Sequence, residues 1–536
     1  MTSTNASLKH FSTHFSLANI FLFLLLVLFT ISSIEAPAQQ FKVSLSDGGD
    51  MKDNVTSFYK NGNYVYAANI DYGKMQVAFI GNLKKVTYGI SIKQYDEQLK
   101  ELKTISIDNN EKDLGPFLPK VHYSKTGILV VYFRYTNDDK IRMYATKVDL
   151  NDLKVIKTSL ILEYDRKNIG SFGLAETYYE TDCQISVSPD EKKIFLAHTS
   201  PKLIVTSVVD TDLTPVQKTE FTSVNLRNLM VTDLHVDNNG NKVILYRHNN
   251  PALKSLYERG IFFQPANSKG TFAVINFADK KIPAKLVLKE SADGKKLYLG
   301  GQYFIQEYDD GIKGILLAEV QIEKQTISNP VFCAFTDEII KRTFDLDFAT
   351  RKKGAISITG QANDIQINEM KDGTIVVSTD LETSSTGHTS NMTTYFSGPL
   401  LHAFFKPDGK TSVAFVPKKQ VSNIFTGYTT YVYEDKLICI FSDHSRNHQK
   451  EMEDKDINLI RTPEGIIPIS VGYDSNAKLL FKNPVIDSKT KMKGHVITPS
   501  ALMYEKNKIL FIVGEIKLNM IKYYSRINNL LYLEIL

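Results

Sequence analysis

The chain has 536 residues, with 64 lysines and arginines against 59 aspartates and glutamates, which gives a formal net charge of +5. This charge is small for the length, and no stripe of Arg and Lys is interleaved with aromatics, so nucleic-acid binding is not expected. Phe and Tyr are abundant, with 30 and 27 copies, while Trp is absent. Because convincing amphipathic helices are also scarce, the sequence favours an all-β fold.

The N-terminus has the features of an export signal. Residues 15–34 (FSLANIFLFLLLVLFTISSI) form an apolar run, and Ala36-Pro37-Ala38 follows it as a small-x-small cleavage pattern. We predict that residues 1–38 are a signal peptide and that the protein is exported to the periplasm or the extracellular space. The alternative is an uncleaved membrane anchor, because about 20 apolar residues can just span a bilayer.

A hairpin signature recurs along the chain, most clearly at residues 183–200 (CQISVSPDEKKIFLAHTS). Alternating apolar residues lead into a Ser-Pro-Asp turn, and a second apolar run leaves it. Copies of the turn recur roughly every 50 to 70 residues, and such a period carried by strands indicates a repeat fold. The copies lie at residues 61–63, 124–127, 188–190, 237–240, 300–301, 371–373, 434–435 and 505–507.

Each period holds two further strands joined by a short turn, as in residues 140–164, 202–221 and 400–416. Four antiparallel strands per repeat are typical of a β-propeller blade, so we predict an all-β propeller. Eight blades are favoured, with seven as the alternative because residues 335–363 fit no repeat. The predicted blades begin near residues 57, 117, 182, 228, 295, 364, 427 and 499.

Two segments carry a family resemblance. SPDEKKIFLA at residues 188–197 and SADGKKLYLGG at residues 291–301 resemble the SPDGKKIAF signature of TolB-type, WD40-like propeller repeats of the bacterial cell envelope. The resemblance implies a propeller fold and an envelope location, and it implies no particular activity.

The two chain ends predict how the ring closes. Residues 530–536 align with the third strand of the fifth blade, at 314–320, so the last blade lacks a fourth strand. Residues 41–47 alternate as a spare strand. We therefore predict that residues 39–536 form a single propeller domain, in which the N-terminal strand pairs with the last blade and removes a free edge.

The three cysteines, Cys183, Cys333 and Cys439, each lie in an apolar run that reads as a strand. We expect them to be small buried side chains. One disulfide is an alternative in an oxidising compartment, but the three are too widely separated to form a disulfide framework. No cysteine pair has zinc-ligand spacing.

Long insertions are predicted after second strands and between blades, at residues 248–270, 335–364, 380–398 and 442–456. In a propeller all of these open on one face, which we call the long-loop face. The opposite face carries the short turns after first and third strands, and we call it the turn face. Long loops on a rigid scaffold often carry binding residues, so we expect the long-loop face to be the working surface and the turn face to offer few pocket-forming groups.

Six residues on these insertions or at their mouths are candidates for ligand binding. His444 and His448 lie four residues apart and would chelate a divalent metal if their loop formed a helical turn. Ser445 follows the first histidine, so the metalloprotease motif HExxH is absent, and a solvated polar loop is the alternative. Apart from such a metal, no cofactor is expected. The six candidates are Arg247, His248, Tyr257, His388, His444 and His448.

Two classes of function remain open. The favoured one is a monomeric, non-catalytic binding or scaffold protein of the cell envelope, with a protein or peptide partner and membrane contact only through an uncleaved signal. The alternative is a propeller hydrolase or lyase that acts on an extracellular glycan, ester or lactone. No G-x-S-x-G motif is present, but paired carboxylates across the channel would serve a glycosidase. A titratable cluster at the channel mouth would favour the enzyme, and a mixed or apolar rim the binding protein.

Overall fold

The structure is a computed structural model. It describes residues 41–45, 55–72, 88–98, 100–107, 114–135, 140–165, 183–200, 203–222, 227–249, 257–266, 270–275, 277, 280–305, 311–347, 349–352, 355–358, 361–386, 393–421, 427–448, 450–452, 457–458, 466–485, 495–505, 508–518 and 524–535. The predicted signal peptide lies outside these residues. Among the residues described, no helix has the length and apolar character needed to cross a membrane.

The described residues form eight antiparallel sheets, numbered here in chain order, and the first strand along the chain, β1 (Phe41–Leu45), belongs to sheet 8. Sheet 1 contains β2 (Val55–Asn61), β3 (Tyr64–Tyr72), β4 (Tyr88–Tyr95) and β5 (Glu101–Ile107). Sheet 2 contains β6 (Leu114–Ser124), β7 (Gly127–Tyr135), β8 (Lys140–Val148) and β9 (Val155–Asp165). Sheet 3 contains β10 (Cys183–Val187), β11 (Lys193–Ser200), β12 (Leu203–Asp210) and β13 (Pro215–Thr222). Sheet 4 contains β14 (Arg227–Val236), β15 (Lys242–Asn249), β16 (Tyr257–Gln264) and β17 (Thr271–Val274).

The second half of the chain forms sheets 5 to 8 and contains a helix, α1 (Asp337–Asp345). Sheet 5 contains β18 (Lys281–Glu290), β19 (Leu297–Ile305), β20 (Ile312–Gln321), β21 (Thr326–Ile327), β22 (Val331–Ala334), β23 (Ala349–Lys352) and β24 (Ala355–Ile358). Sheet 6 contains β25 (Gln361–Glu369), β26 (Ile375–Thr386), β27 (Thr393–Phe405), β28 (Thr411–Val416) and β29 (Gln420–Val421). Sheet 7 contains β30 (Tyr428–Tyr433), β31 (Lys436–His444), β32 (Ile466–Tyr473) and β33 (Leu479–Pro484). Sheet 8 contains β34 (His495–Glu505), β35 (Lys508–Leu518) and β36 (Tyr524–Ile535), together with β1.

The sheets follow one another around a closed ring. Contacts join the first strands in the order β2, β6, β10, β14, β18, β25, β30 and β34, and β34 in turn contacts β2. First strands therefore lie innermost and fourth strands outermost. Within the described residues, seven sheets contain a single four-strand path, and in sheet 5 the fourth position beside β20 is shared by β21, β22 and β24. The predicted β-propeller of four-stranded antiparallel blades is confirmed.

Sheet 8 joins the two ends of the described chain. β1 pairs antiparallel with β36, with Phe41 opposite Ile535 and Leu45 opposite Leu531. β1 thus occupies the fourth-strand position of this sheet, which gives β36 a pairing partner along its outer side.

Sequence and structure differ in the fifth blade and in the long insertions. The fifth blade begins with β18 at Lys281, whereas residues near 295 form the turn into β19. The sequence does not predict this first strand, because Pro283 and regularly spaced lysines interrupt its apolar pattern, and its ladder has a bulge after Pro283. Segment 248–270 contains β16, and segment 380–398 consists mainly of strand, because β26 and β27 continue as one long hairpin.

Short turns close the hairpins on the turn face in a repeated way. In the turn between β12 and β13, Asp210 Oδ1 accepts the backbone N–H groups of Asp212 at 2.9 Å and Thr214 at 2.8 Å. Asp474 makes the same two kinds of hydrogen bond in the corresponding turn of sheet 7. Leu213 adopts a left-handed backbone with φ of 59° and is buried between sheets 2 and 3. These turns therefore also contribute to the packing between sheets.

Apolar side chains fill the space between neighbouring sheets. Between sheets 2 and 3, Phe133 of β7 packs with Leu196 of β11 and Val205 of β12, and all three are at most 1% exposed. Between sheets 6 and 7, Phe404 of β27 packs with Phe441 of β31. Of the cysteines, Cys333 and Cys439 are buried free thiols in strands.

Candidate binding site on the long-loop face

Strand direction places a group of charged side chains near the long-loop face. First strands begin and second strands end at this face, so the N-terminal half of β25 and the C-terminal half of β26 lie beside it. The β25–β26 ladder has a bulge between Ala362 and Ile365, where Asp364 lies. Bulges in inner strands redirect side chains and are common beside binding sites.

A buried polar chain runs across sheet 6 from this bulge. Lys418, in the segment after β28, donates to Ser397 Oγ at 3.0 Å, and Ser397 Oγ donates to Asp380 Oδ2 at 3.3 Å. Asp380 Oδ1 accepts the backbone N–H of Asp364 at 3.1 Å. Lys418 and Asp380 are at most 1% exposed. Burial lowers the pKa of Lys418, and Asp380 is the largest influence that opposes this shift.

Asp364 stands between this buried chain and solvent. Its Oδ1 accepts the backbone N–H of Ile365 at 3.0 Å, and its Oδ2 accepts Gln366 Nε2 at 2.8 Å. Burial raises the pKa of Asp364, the negative charge of Asp380 raises it further, and Lys285 opposes the rise. Hydrogen bonds therefore hold the Asp364 carboxyl group in place, although burial and Asp380 disfavour its ionised form.

Lys285 and Glu382 complete the group, which we call the charged cluster: Lys285, Asp364, Asp380, Glu382 and Lys418. Burial lowers the pKa of Lys285, while the three carboxylates of the cluster raise it. Burial raises the pKa of Glu382, Asp380 raises it further, and the two lysines oppose the rise. Lys285, Asp364 and Glu382 are intermediate in exposure, so they form the part of the cluster that a ligand can reach.

Sheet 7 forms hydrogen bonds to the part of sheet 6 that contains the cluster. The hydroxyl of Tyr428, in β30, donates toward Ser378 O at 2.9 Å and Asp364 O at 3.2 Å. Gln366 Oε1 accepts the backbone N–H of Thr430 at 2.8 Å, which ties β25 to β30. The inner strands of sheets 6 and 7 are thus cross-linked by side chains at the height of the cluster.

The residues predicted in sheet 4 lie elsewhere on the ring. Arg247 and His248 are part of β15, where they face Arg259 and Glu258 of β16 in the ladder, and His248 is buried. Arg247 Nη2 donates to Met230 Sδ at 3.1 Å. Tyr257 begins β16, and His388 lies outside the described residues. These residues therefore do not form one site with the histidines of sheet 7.

His444 and His448 share a tight turn in sheet 7. His444 Nδ1 accepts the backbone N–H of Arg446 at 3.1 Å, and His448 Nδ1 lies 2.5 Å from Ser445 O. The buried residue between them is Asn447, which donates to Asp443 Oδ1 at 2.8 Å and accepts from Asn458. In the part of the chain that the structure describes, no three His, Cys, Asp or Glu side chains are grouped closely enough to hold a metal ion.

The charged cluster has only a partial signal in the sequence. The sequence marks Asp364 only as a predicted blade start and Asp380 only as the start of a predicted insertion. Lys285 and Lys418 had no signal, because their partners lie on strands far away in the chain. The remaining signal in the sequence is that three acidic residues, Asp364, Asp380 and Glu382, lie close in the chain, around the predicted start of the sixth blade and of the 380–398 insertion.

The fold and the cluster together define a β-propeller with a group of charged side chains near its long-loop face. The sequence matches no protein-family model and no curated protein. Among solved structures, the chain is similar to the Dos1 propeller, with 10% identity, a TM-score of 0.43 and coverage of 92% of this chain and 94% of that chain.

Two further similarities are of the same kind. The propeller domain of the Trilobed protease from Pyrococcus furiosus has 10% identity and a TM-score of 0.34, covering 82% of this chain and 99% of that one. An α-L-arabinofuranosidase from Fusarium graminearum has 8% identity and a TM-score of 0.32, covering 65% of this chain and 92% of that one. Identities at this level carry no information about function.

Proposed function

We propose that the protein is an exported, non-catalytic β-propeller of the TolB-like type that binds a protein or peptide segment at the charged cluster. In this proposal residues 1–38 direct export to the periplasm or beyond, and the protein acts as a monomer in the cell envelope. The observation that carries it is the charged cluster itself. Its reachable members, Lys285, Asp364 and Glu382, have both signs of charge, which suits a peptide with carboxylate and ammonium or amide groups.

The geometry of the cluster supports binding because its charges are already held in place. Asp380 and Lys418 are buried, and hydrogen bonds fix them relative to Asp364. A ligand therefore meets an ordered set of charged groups and does not have to order them itself, which reduces the entropic cost of association.

The test uses peptides selected from a random display library on the full mature chain, with affinities measured by fluorescence polarisation. Lys285→Met and Asp364→Asn are expected to weaken binding about tenfold or more, because each removes a charge-assisted hydrogen bond. The matched control is Lys410→Met with Asp408→Asn, an exposed ion pair with a 2.8 Å N–O distance on the turn face. If the control variant loses peptide binding and the cluster variants keep it, the binding site lies on the turn face and the proposal is wrong.

A specific observation keeps a hydrolase or lyase as the second candidate. Burial raises the pKa of both Asp364 and Glu382, and Asp380 raises both further, which is a way to keep one carboxyl protonated as a general acid. Chromogenic glycosides, esters and lactones should then be turned over with a pH profile that changes in Asp364→Asn. If purified protein turns over none of them at any pH, the binding function stands alone.

A further inference from the structure

Two fully buried side chains between sheets 6 and 7 each contain a polar atom without a hydrogen bond. His402 of β27 has Nδ1 at 2.8 Å from Ser378 Oγ, but its Nε2 has no partner among the described residues. Gln420 of β29 donates through Nε2 to Ser442 O of sheet 7, and its Oε1 has no partner within that part of the chain. The His402 ring also faces sheet 7, 5.7 Å from the ring of Tyr473. Burying such atoms costs free energy that contact with water would return.

The inner strands of the same two sheets are joined by several hydrogen bonds. Gln366 Oε1, in β25, accepts the backbone N–H and the hydroxyl of Thr430, in β30, each at 2.8 Å. Asn368 Nδ2 donates to the same hydroxyl at 2.7 Å. If the outer strands of sheets 6 and 7 separate, β25 and β30 can therefore remain in contact and act as a hinge.

A side chain of α1 connects the outermost strand of sheet 6 to sheet 7. Arg342 lies over the ring of Phe415, in β28, with its guanidinium carbon 4.2 Å from the ring centroid. Its Nη2 donates to Met452 O, in the segment that follows β31 of sheet 7. Met452 is buried in the apolar cluster between sheets 6 and 7. One guanidinium group thus contacts both sheets through its face and its N–H donors.

We propose that the contact between sheets 6 and 7, which we call the seam, opens locally: the outer strands separate about the joined strands β25 and β30, and Arg342 is the latch that holds them closed. Opening brings water to His402 and Gln420 and to the buried ammonium group of Lys418, which offsets part of the lost packing. It also uncovers Asp380, so the seam controls access to the buried half of the charged cluster. The seam is independent of the proposed function, since it is defined by packing between sheets.

Two buried free thiols report on the seam and on the neighbouring contact. Cys439 belongs to the apolar cluster between sheets 6 and 7, and Cys333 belongs to the cluster between sheets 5 and 6. A buried thiol reacts with iodoacetamide only from an opened form, where both thiols are in water, so the labelling rate measures the population of that form. Mass spectrometry of the full mature chain follows each cysteine separately. We expect Cys439 to react at least about tenfold faster than Cys333, which corresponds to about 1.4 kcal/mol. Equal or slower labelling of Cys439 overturns the proposal.

The latch is tested by Arg342→Met, which removes the hydrogen bond to Met452 O and keeps an apolar contact with Phe415. Labelling of Cys439 should become about tenfold faster, because hydrogen bonds to charged groups are among the stronger ones. The matched control is Lys419→Met, since Lys419 pairs with Asp347 at 2.5 Å just after α1 and also joins this segment to sheet 6. The control should change the rate less than about twofold. An unchanged rate in Arg342→Met overturns the latch.

The buried polar atoms are tested by a double variant, His402→Leu with Ser378→Ala. Replacing both polar partners by apolar groups is nearly neutral or stabilising, and it removes the unpaired Nε2, so labelling of Cys439 should slow about tenfold. The matched control is Gln302→Leu with Thr379→Val, a buried pair joined at 3.1 Å between sheets 5 and 6, which should change that rate less than about twofold. Circular dichroism checks folding, and the latch variant keeps the test valid if a double variant does not fold. Faster labelling of Cys439 in the seam variant overturns the proposal.

Discussion

Two interfaces between neighbouring sheets differ in what they bury. Between sheets 2 and 3, a cluster of 12 buried apolar side chains includes Phe133 and Leu213. Between sheets 6 and 7, a comparable apolar cluster is accompanied by Lys418, His402 and Asp443, each at most 1% exposed. Both interfaces serve the same structural purpose, but among the described residues the second also contains ionisable side chains that are at most 1% exposed.

The difference is informative because buried charge is a poor source of stability. Replacing a buried ion pair by well-packed apolar residues is often neutral or stabilising, whereas removing one partner is costly. The interface between sheets 2 and 3 indicates that apolar side chains are sufficient to pack two neighbouring sheets together. The ionisable groups between sheets 6 and 7 adjoin the charged cluster, since Lys418 belongs to both, and we infer that they serve to position it.

The largest expected loss of stability comes from opening the ring, because both interfaces need a closed ring. Deleting residues 39–47 removes β1 and leaves the outer side of β36 without its ladder. We expect the free energy of unfolding in urea to fall by several kcal/mol, because a whole strand's hydrogen bonds are lost and an edge is exposed. A truncated protein that unfolds at the same urea concentration as the full chain would contradict closure by the two ends.

The next effect concerns the apolar interface alone. Phe133 has no exposed surface and packs between sheets 2 and 3. Phe133→Ala should lower the free energy of unfolding by about 3 to 5 kcal/mol through lost burial and an internal cavity. Phe133→Leu is the conservative control and should cost about half of this or less. Peptide affinity at the charged cluster should be unchanged in the folded variant, and a parallel loss would show that the two regions are coupled.

In the charged interface, a single and a double substitution should behave differently. Lys418→Met leaves Asp380 without its nearby buried cation and should lower the free energy of unfolding by about 3 kcal/mol. Adding Asp380→Asn removes the uncompensated charge and keeps an acceptor for the Asp364 N–H, so most of the loss should be recovered. Chemical denaturation of the two single variants and the double variant measures this coupling. Additive losses would mean that the two charges do not stabilise each other.

The pH dependence of stability gives a smaller effect with a definite sign. Burial raises the pKa of Asp443 from 3.8 to about 6, and Asn447 opposes the rise. The pKa of Asp443 is higher in the folded protein than in the unfolded chain. Its contribution to the free energy of unfolding is therefore fully present below about pH 4 and is lost as the pH rises through 6. Asp443→Asn should remove this decline and gain about 2 kcal/mol at pH 7, with little change near pH 3.5. Melting temperatures across this range test it, and a decline that persists in the variant would assign it to other groups.

The sequence predicts best what is decided locally. Asp, Asn and Gly residues predict hairpin turns such as Asp237–Gly240, because their side chains and backbones favour turn conformations. The spacing of these turns predicts the blades and the approximate first residue of most of them. In contrast, the end of β26 and the start of β27 are rich in Ser and Thr, a composition that predicts a loop. Thr favours strands, but without an apolar pattern only the pairing partner reveals the strand.

The charged cluster was less accessible for a related reason. Lys418 has no local feature that distinguishes it from an exposed lysine, and it is buried only because three strands of sheet 6 bring Ser397 and Asp380 to it. The two histidines of sheet 7 attracted attention through their spacing, whereas the residue that organises their loop is Asn447. Spacing within a short segment reports on local geometry, and buried polar networks are assembled from distant segments.

The smallest effect tests whether a turn contributes to the apolar interface. Asp210 caps the turn that places Leu213 between sheets 2 and 3, so Asp210→Ala should cost about 1 kcal/mol through the lost hydrogen bonds to backbone N–H groups. Asp212 in the same turn has an 83% exposed side chain at 4.0 Å from Lys147, and Asp212→Ala should change stability by less than about 0.5 kcal/mol. Urea denaturation of both variants compares them directly. Of the two aspartates, only Asp210 accepts hydrogen bonds from the backbone of the turn that contains Leu213. Equal effects from the two substitutions would therefore mean that the packing of Leu213, and not the aspartate cap, determines the conformation of this turn.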